Sequence, residues 1–421
     1  MQNSLDRALG LDAADKLSGF RQQFHIPVNK DGKEKIYFCG NSLGLQPRST
    51  KAYLEQELDD WARLGVDGHL DGKNPWLPYH EALSAPMARV VGAHPSEVVV
   101  MNSLTVNLHL LMVSFYRPDA KRYKILIEHT TFPSDIYAVK SQLRFHGLDP
   151  DEALLFLQPS EGNMLIEKQD IDKVLEAEGE QIALILLGGV NYYTGQYFDL
   201  RYITEQGHRY GCVVGFDLAH GAGNIEPDLH QCGADFALWC TYKYMNSGPG
   251  SLSGIFVHER HADWGEQPRF EGWWGTNKKE RFMMKPQFQS LPGAEGWQLS
   301  NPPIMAMAPV RASLEIFEAA GMPALRTKSK EMVEFALSCL DEIDGDKINI
   351  LVPDDPDSRG CQISLQVKNA DKELFRYLEA HDVISDWREP DVIRIAPVPL
   401  YNTFSEIFHF SEILKAGLTK I

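Results

Sequence analysis

Asp217 and Lys243 are the residues whose types and placement first suggest chemistry. An apolar run at 212–216 ends in Asp217, and His220 follows three residues later. A second run, 236–240, delivers Thr241, Tyr242 and Lys243 into a stretch rich in Ser, Gly and Pro. Both runs have the length and content of buried strands. An acid at one strand end and a lysine at the next is the layout a pyridoxal phosphate (PLP) cofactor needs. The carboxylate pairs with the pyridine nitrogen and keeps the ring an electron sink, and the amine forms the Schiff base. Small residues beyond the lysine let backbone and ligand approach closely. Taken singly, Asp217 reads as a turn or helix cap and Lys243 as a solvated surface group. The pair on successive strands, with His220 and Tyr242 beside them, is what favours a site.

Such side chains need a scaffold that brings strand ends together. Short apolar runs at 36–38, 98–101, 124–128, 154–157, 182–187 and 254–257 alternate with helical periodicity. That alternation predicts an α/β fold, a mostly parallel sheet with helices on both faces, whose ligands bind beyond the strands' carboxyl ends. The polar groups fall at those ends. Residues 39–44 form a Gly/Asn/Ser loop that includes Ser42. Residues 102–105 run from a strand into a helix N-terminus; Ser103 or Thr105 caps the helix, and the same amides suit a phosphate. Phe132 reads as core or as an aromatic that stacks on a flat ring. Residues 65–78, with His69 and Trp76, read as a long loop, and Trp273 and Trp274 as packing or as a subunit or ligand contact. From about residue 306 the pattern changes to a smaller α+β unit. The expected organisation is an arm and active-site loop (1–48), a large α/β domain (49–305) and a small C-terminal domain (306–421).

A formal net charge of −17 argues against nucleic acid or anionic membrane as partner. No apolar stretch has spanning length and no signal peptide is evident, so a cytoplasmic location is expected. The six cysteines lack CxxC spacing and the 14 histidines lack an HExxH pattern, which predicts reduced thiols and no metal.

The stretches FCGNSLGLQP, NSLTVNLHLL, TTFPSDIYA, VNYYTGQYFDL, GFDLAHGAGN, CTYKYMNSGPG, GWWGT, SNPPI and IRIAPVPLYN occur in this order. Together they resemble the kynureninase family, fold-type I PLP-dependent enzymes of the aspartate aminotransferase superfamily. The resemblance runs from about residue 36 to residue 410 and implies a seven-stranded sheet sandwiched by helices. It implies hydrolytic Cβ–Cγ cleavage of L-kynurenine to anthranilate and L-alanine, and of 3-hydroxykynurenine to 3-hydroxyanthranilate and L-alanine, in tryptophan catabolism. Lys243 then matches the Schiff-base lysine, Asp217 the partner of the pyridine nitrogen and Phe132 the stacking aromatic. Asp135 and His220 match further cofactor contacts, and Leu104, Thr105 and Tyr242 the phosphate side. Trp273 and Asn301 match pocket residues that the neighbouring subunit supplies, which implies a homodimer with shared active sites. Arg394 matches the arginine that grips the substrate carboxylate, a natural bidentate fork. Ser42 lies in the loop over the substrate, and Tyr242 is the candidate proton relay.

Gly188 stands where some relatives carry Ser, and Thr276 where vertebrate-like members carry His. His69 and Asn301 instead resemble members that favour the 3-hydroxylated substrate. On the same fold, a cysteine desulfurase, with Cys361 the thiol to consider, or an aminotransferase would use the same Asp and Lys. A non-catalytic PLP-binding protein is the rival of a different class.

Overall fold

In this computed structural model, residues 4–265, 267–341, 343, 347–368 and 372–420 are described. Among them the strands are, in chain order, β1 (Ile36–Tyr37), β2 (Val98–Met101), β3 (Lys124–Glu128), β4 (Leu154–Leu157), β5 (Ile182–Gly188), β6 (Val213–Asp217) and β7 (Phe236–Cys240). They continue with β8 (Ser253–Val257), β9 (Ile348–Ile350), β10 (Ile363–Val367), β11 (Val383–Ile384), β12 (Asp386–Arg388) and β13 (Val392–Ile395).

The central sheet has seven strands in the order β2-β8-β7-β6-β5-β3-β4. From β7 to β4 the neighbours run parallel, while β8 is antiparallel to both β7 and β2. Successive side chains alternate between two apolar clusters. Val98 and Val100 join one and Val99 and Met101 the other; Ala237 and Trp239 oppose Phe236 and Leu238 in the same way. Period-two alternation therefore buries both faces, which is why these strands read as continuous apolar runs. Each fully buried Leu, Val or Phe contributes roughly 1.5–3 kcal/mol. Helices such as Leu104–Phe115 and Leu200–Arg209 cover the faces.

A second, antiparallel sheet of order β12-β13-β10-β9 forms the C-terminal unit. The first residues of the chain pack onto this unit. β1 pairs in parallel with β11, Ile36 opposite Val383. Asp12 accepts the amides of Phe404 (2.6 Å) and Ser405 (3.0 Å) at the start of helix Phe404–Leu418. Buried Lys328 reaches Asp15 at 2.8 Å and also donates to the Pro399 carbonyl.

One local expectation changes. Residues 65–78 are not a plain loop: Gly65–Asp67 is a 3-10 turn and Gly68–Asp71 a helical turn. The Trp76 ring packs against Gly68, where a Cβ would come within 2.5 Å of it, and its Nε1 donates to Glu57 at 2.9 Å. Helix Thr50–Leu64 turns its acids inward. Glu57 and Asp60 are buried by their bonds to Trp76, Asn74 and the Lys73 amide, while Leu58 and Trp61 are 48% and 60% exposed. No described helix is long and apolar enough to cross a membrane.

Candidate active site

Four strand ends build one cavity. β3 ends in Glu128, β5 in Gly188 and β6 in Asp217, while β7 passes through Thr241 to Tyr242 and Lys243. Parallel strands end on one side, and the β5–β6 register sets Gly188 directly beside Asp217. Helices Leu104–Phe115 and Pro133–Phe145 begin at the same space. Leu104, Thr105, Phe132, Asp135, Gly188, Asp217, His220, Tyr242 and Lys243 all line this cavity. Lys243 Nζ lies 3.0 Å from His220 Nε2 and 6.0 Å from the centre of the Phe132 ring.

The cavity's acids are short of donors. Asp217 is buried and its carboxyl pKa is raised, chiefly by burial, although a bond from Asp135 and the Ala219 amide (2.7 Å) oppose the rise. Asp135 rises well above the carboxylate range through burial and the neighbouring Asp217 charge. Each carboxyl of the pair thus holds its proton more tightly than an exposed acid, because both are buried and close together. Glu128, buried behind them, is pushed up to about 7 by burial, against the Gly188 amide that it accepts at 2.8 Å. His220 falls well below its usual pKa because it is buried and faces Lys243, so it is neutral; its Nδ1 has no partner among the described residues. Burial raises the Tyr242 phenol, which stays protonated at neutral pH.

Arg394 and Ser42 sit just behind the cavity wall. Arg394 is fully buried, donates from Nη1 to the Tyr192 carbonyl (2.7 Å) and from Nε to Asp386 (2.9 Å), and stands 3.4 Å from Ser42 Oγ. Tyr192 itself lines the cavity. The remaining positions are not brought there within one chain. Trp273 is 41% exposed and donates to the Arg281 carbonyl, and Asn301 is exposed. His69 bonds the Val66 carbonyl and packs edge-on to Trp76, while Thr276 bonds the Gln289 carbonyl.

Sequence reading missed Glu128, Tyr192, Asp386 and Arg388. Glu128 carried a usable signal, an acid closing an apolar strand at the carboxyl edge. At Gly188 an added Cβ would come within 2.8 Å of Glu128 Oε1, so Glu128 fills the space that a larger side chain would take.

The residues present fit PLP. A buried carboxyl pair suits a ring nitrogen, Phe132 offers an aromatic face and Lys243 an amine. Thr105 and Ser134 hydroxyls, 3.1 Å apart, stand in the first turns of two helices whose N-caps use no side chain, an arrangement that suits phosphate.

Comparison with known proteins agrees. Residues 325–414 match the family model described as the kynureninase C-terminal domain. A kynureninase of Myxococcus xanthus is 54% identical over 414 residues, 98% of this chain and 97% of its own. One of Christiangramia forsetii is 52% identical over 420 residues, 99% of each chain. Among solved structures, the apo cysteine desulfurase of Thermococcus onnurineus NA1 matches with a TM-score of 0.75 at 16% identity, over 96% of this chain and 98% of its own. The C-DES protein with glycine covalently linked to its PLP cofactor matches with a TM-score of 0.76 at 16% identity, over 94% and 98%. At that identity the two structures establish the fold-type I architecture and no more.

Proposed function

The chain belongs to the kynureninase family, and from that premise we propose how its own residues divide the work. The enzyme is a PLP-dependent hydrolase that cleaves the Cβ–Cγ bond of L-kynurenine and releases anthranilate and L-alanine. The cofactor, held at Lys243, supplies the electron sink for carbanions of the substrate. Asp217, backed by Asp135, would hold the cofactor's ring nitrogen, Phe132 would offer its ring face, and Leu104, Thr105 and Tyr242 would hold the phosphate. Lys243 Nζ moves the proton at the substrate's Cα, and neutral His220 holds that amine in place from 3.0 Å. Tyr242 retains its phenolic proton and delivers it in the later steps. Arg394 orients the α-carboxylate, with Ser42 beside it. The same pocket takes 3-hydroxykynurenine.

His69, Trp273 and Asn301 complete the pocket from a second copy of the chain. Their positions outside the cavity of their own chain support this reading, as do the exposed Trp61, Val66 and Leu70 nearby in sequence to His69. The reading keeps boundaries at residues 48/49 and 305/306 and a cytoplasmic location.

One observation carries the assignment of roles: Lys243, Asp217 and Asp135 line a single cavity, with Arg394 directly behind its Tyr192 wall. The test is anthranilate fluorescence from PLP-loaded protein given kynurenine, with 3-hydroxykynurenine in parallel. Anthranilate with equimolar alanine is the expected outcome. No product from either substrate, with cofactor bound, would sink the assignment and favour an aminotransferase or a desulfurase. The desulfurase reading finds little support in Cys361, which is buried and whose thiol is pushed up to about 12 by burial.

A further inference from the structure

Arg394 is already engaged before any substrate arrives. Its Nε and Nη2 both reach Asp386 Oδ1, at 2.9 and 2.8 Å, and Nη1 is taken by the Tyr192 carbonyl. The antiparallel register explains the pairing, since Asp386 on β12 lies directly opposite Arg394 on β13. Arg388 is two residues along β12 and so on the same face as Asp386. Its Nη2 lies 2.9 Å from Asp386 Oδ2, so one carboxylate serves both guanidinium groups. Among the described residues Asp386 is the only carboxylate paired with either. Two positive charges against one negative leave a single uncompensated positive charge.

The hydroxyl of Ser42 marks where that charge points. Ser42 Oγ donates to Asp386 at 2.6 Å and lies 3.4 Å from an amine of each arginine. Arg394 is fully buried, whereas the Arg388 side chain is 35% exposed, so Arg388 is the more accessible of the two. Its Nε is nevertheless buried with no partner among the described residues, so its hydrogen-bonding capacity is not used up. Both positive charges stand close enough to His220, which lines the cavity, to help keep it neutral.

We propose that Arg388 is a second substrate-binding residue, which together with Arg394 and Ser42 forms a cradle of net single positive charge for one carboxylate of the amino-acid substrate. Arg394 and Asp386 form the fixed floor, and the partly exposed Arg388 guanidinium provides the attraction. The cradle prefers a monocarboxylate over an amine that lacks one. This inference rests on the kynureninase reading for the identity of the substrate.

The test compares the holoenzyme with Arg388→Ala and Arg388→Lys, reading KM and kcat for L-kynurenine. The decarboxylated amine analogue of kynurenine serves as competitive inhibitor. Loss of a charge-assisted bond raises KM about tenfold or more in Arg388→Ala, with kcat within about threefold. Arg388→Lys recovers part of that loss, because the charge remains but the fork does not. The inhibition constant of the amine analogue stays the same in all three proteins. Unchanged KM in Arg388→Ala would overturn the proposal, and so would equal weakening of the amine analogue, which signals a distorted pocket. If the unaltered protein itself makes no anthranilate, the reading of the substrate fails and not the cradle. L-alanine binding by calorimetry, lost in Arg388→Ala, then still supports the cradle, and equal binding overturns it.

Discussion

The two ends of the central sheet carry buried carboxylates in opposite electrical states. At the carboxyl edge, Asp217, Asp135 and Glu128 lack donors and their pKa values rise. At the other edge, burial alone would raise Asp235 too, but it accepts from His208 (2.9 Å), His261 (2.9 Å), Arg260 (2.8 Å) and the Val214 amide (2.8 Å). Its carboxyl therefore lies well below the usual range. Glu97, near the same edge, is likewise held below the usual range: burial is outweighed by the amides of His94 and Glu259 and by His230. Burial is common to both sets, so the supply of donors decides the sign. A saturated acid stabilises the fold, and an unsaturated one is left ready for a ligand that brings its own proton or charge.

Substitutions can break that contrast. The largest effect belongs to Lys243→Ala, which should lower turnover by roughly 10³-fold or more while leaving the unfolding midpoint of the apoprotein nearly unchanged. Asp217→Asn should likewise cripple turnover, yet leave the apoprotein as stable at pH 7 or more so, because an under-satisfied buried carboxyl is removed. Loss of stability in Asp217→Asn under urea would refute the contrast. At the opposite edge, Asp235→Asn should cost about 3 kcal/mol in urea unfolding, since it removes the charge facing Arg260 and turns one of two acceptor oxygens into a donor facing donors. The kcat/KM of the folded fraction should stay within about twofold.

The smallest effect is a slope with pH. Glu128 has a folded pKa of about 7, above its unfolded value, so the folded chain binds this proton more tightly. Stability of the apoprotein should therefore fall as pH rises from about 4.5 to 7, by at most about 1.4 kcal/mol per pH unit for one proton. Glu128→Gln should lessen that slope by one proton's share, measured by urea unfolding across the range, while the raised Asp135 and Asp217 keep the remainder. For Asp235, with a lowered pKa, the contribution is present above the unfolded value near 3.8 and is lost as pH falls. Asp235→Asn should flatten only that acid limb.

Much of the carboxyl edge was legible in the sequence because strand ends are local. An apolar run followed by Asp217 or by Tyr242 and Lys243 places those groups without knowledge of distant pairing. The Asp386, Arg388 and Arg394 cluster was not legible beyond Arg394, since it depends on the β12–β13 register, which side-chain alternation alone does not fix. The same holds for His94, Glu97, His230 and Glu259, whose ligating atoms lie within 4.8 Å of one another although no spacing pattern joins them. In helix Thr50–Leu64 apolar periodicity does not mark the buried face, because Glu57 and Asp60 find donors in the turns that follow the helix. Residues expected from a second copy, Trp273 and Asn301, are beyond what one chain's periodicity can place.

The parallel pairing of β1 with β11 has a consequence for the order of assembly. The residues lining the candidate active-site cavity all fall between positions 104 and 243. The carboxylate cradle joins Ser42 to Asp386, Arg388 and Arg394, across some of the longest sequence separations in the molecule. Loop-closure entropy makes such contacts late ones. By that entropy argument the cavity, built from one stretch of chain, is expected to form before the cluster that ties Ser42 to Asp386, Arg388 and Arg394.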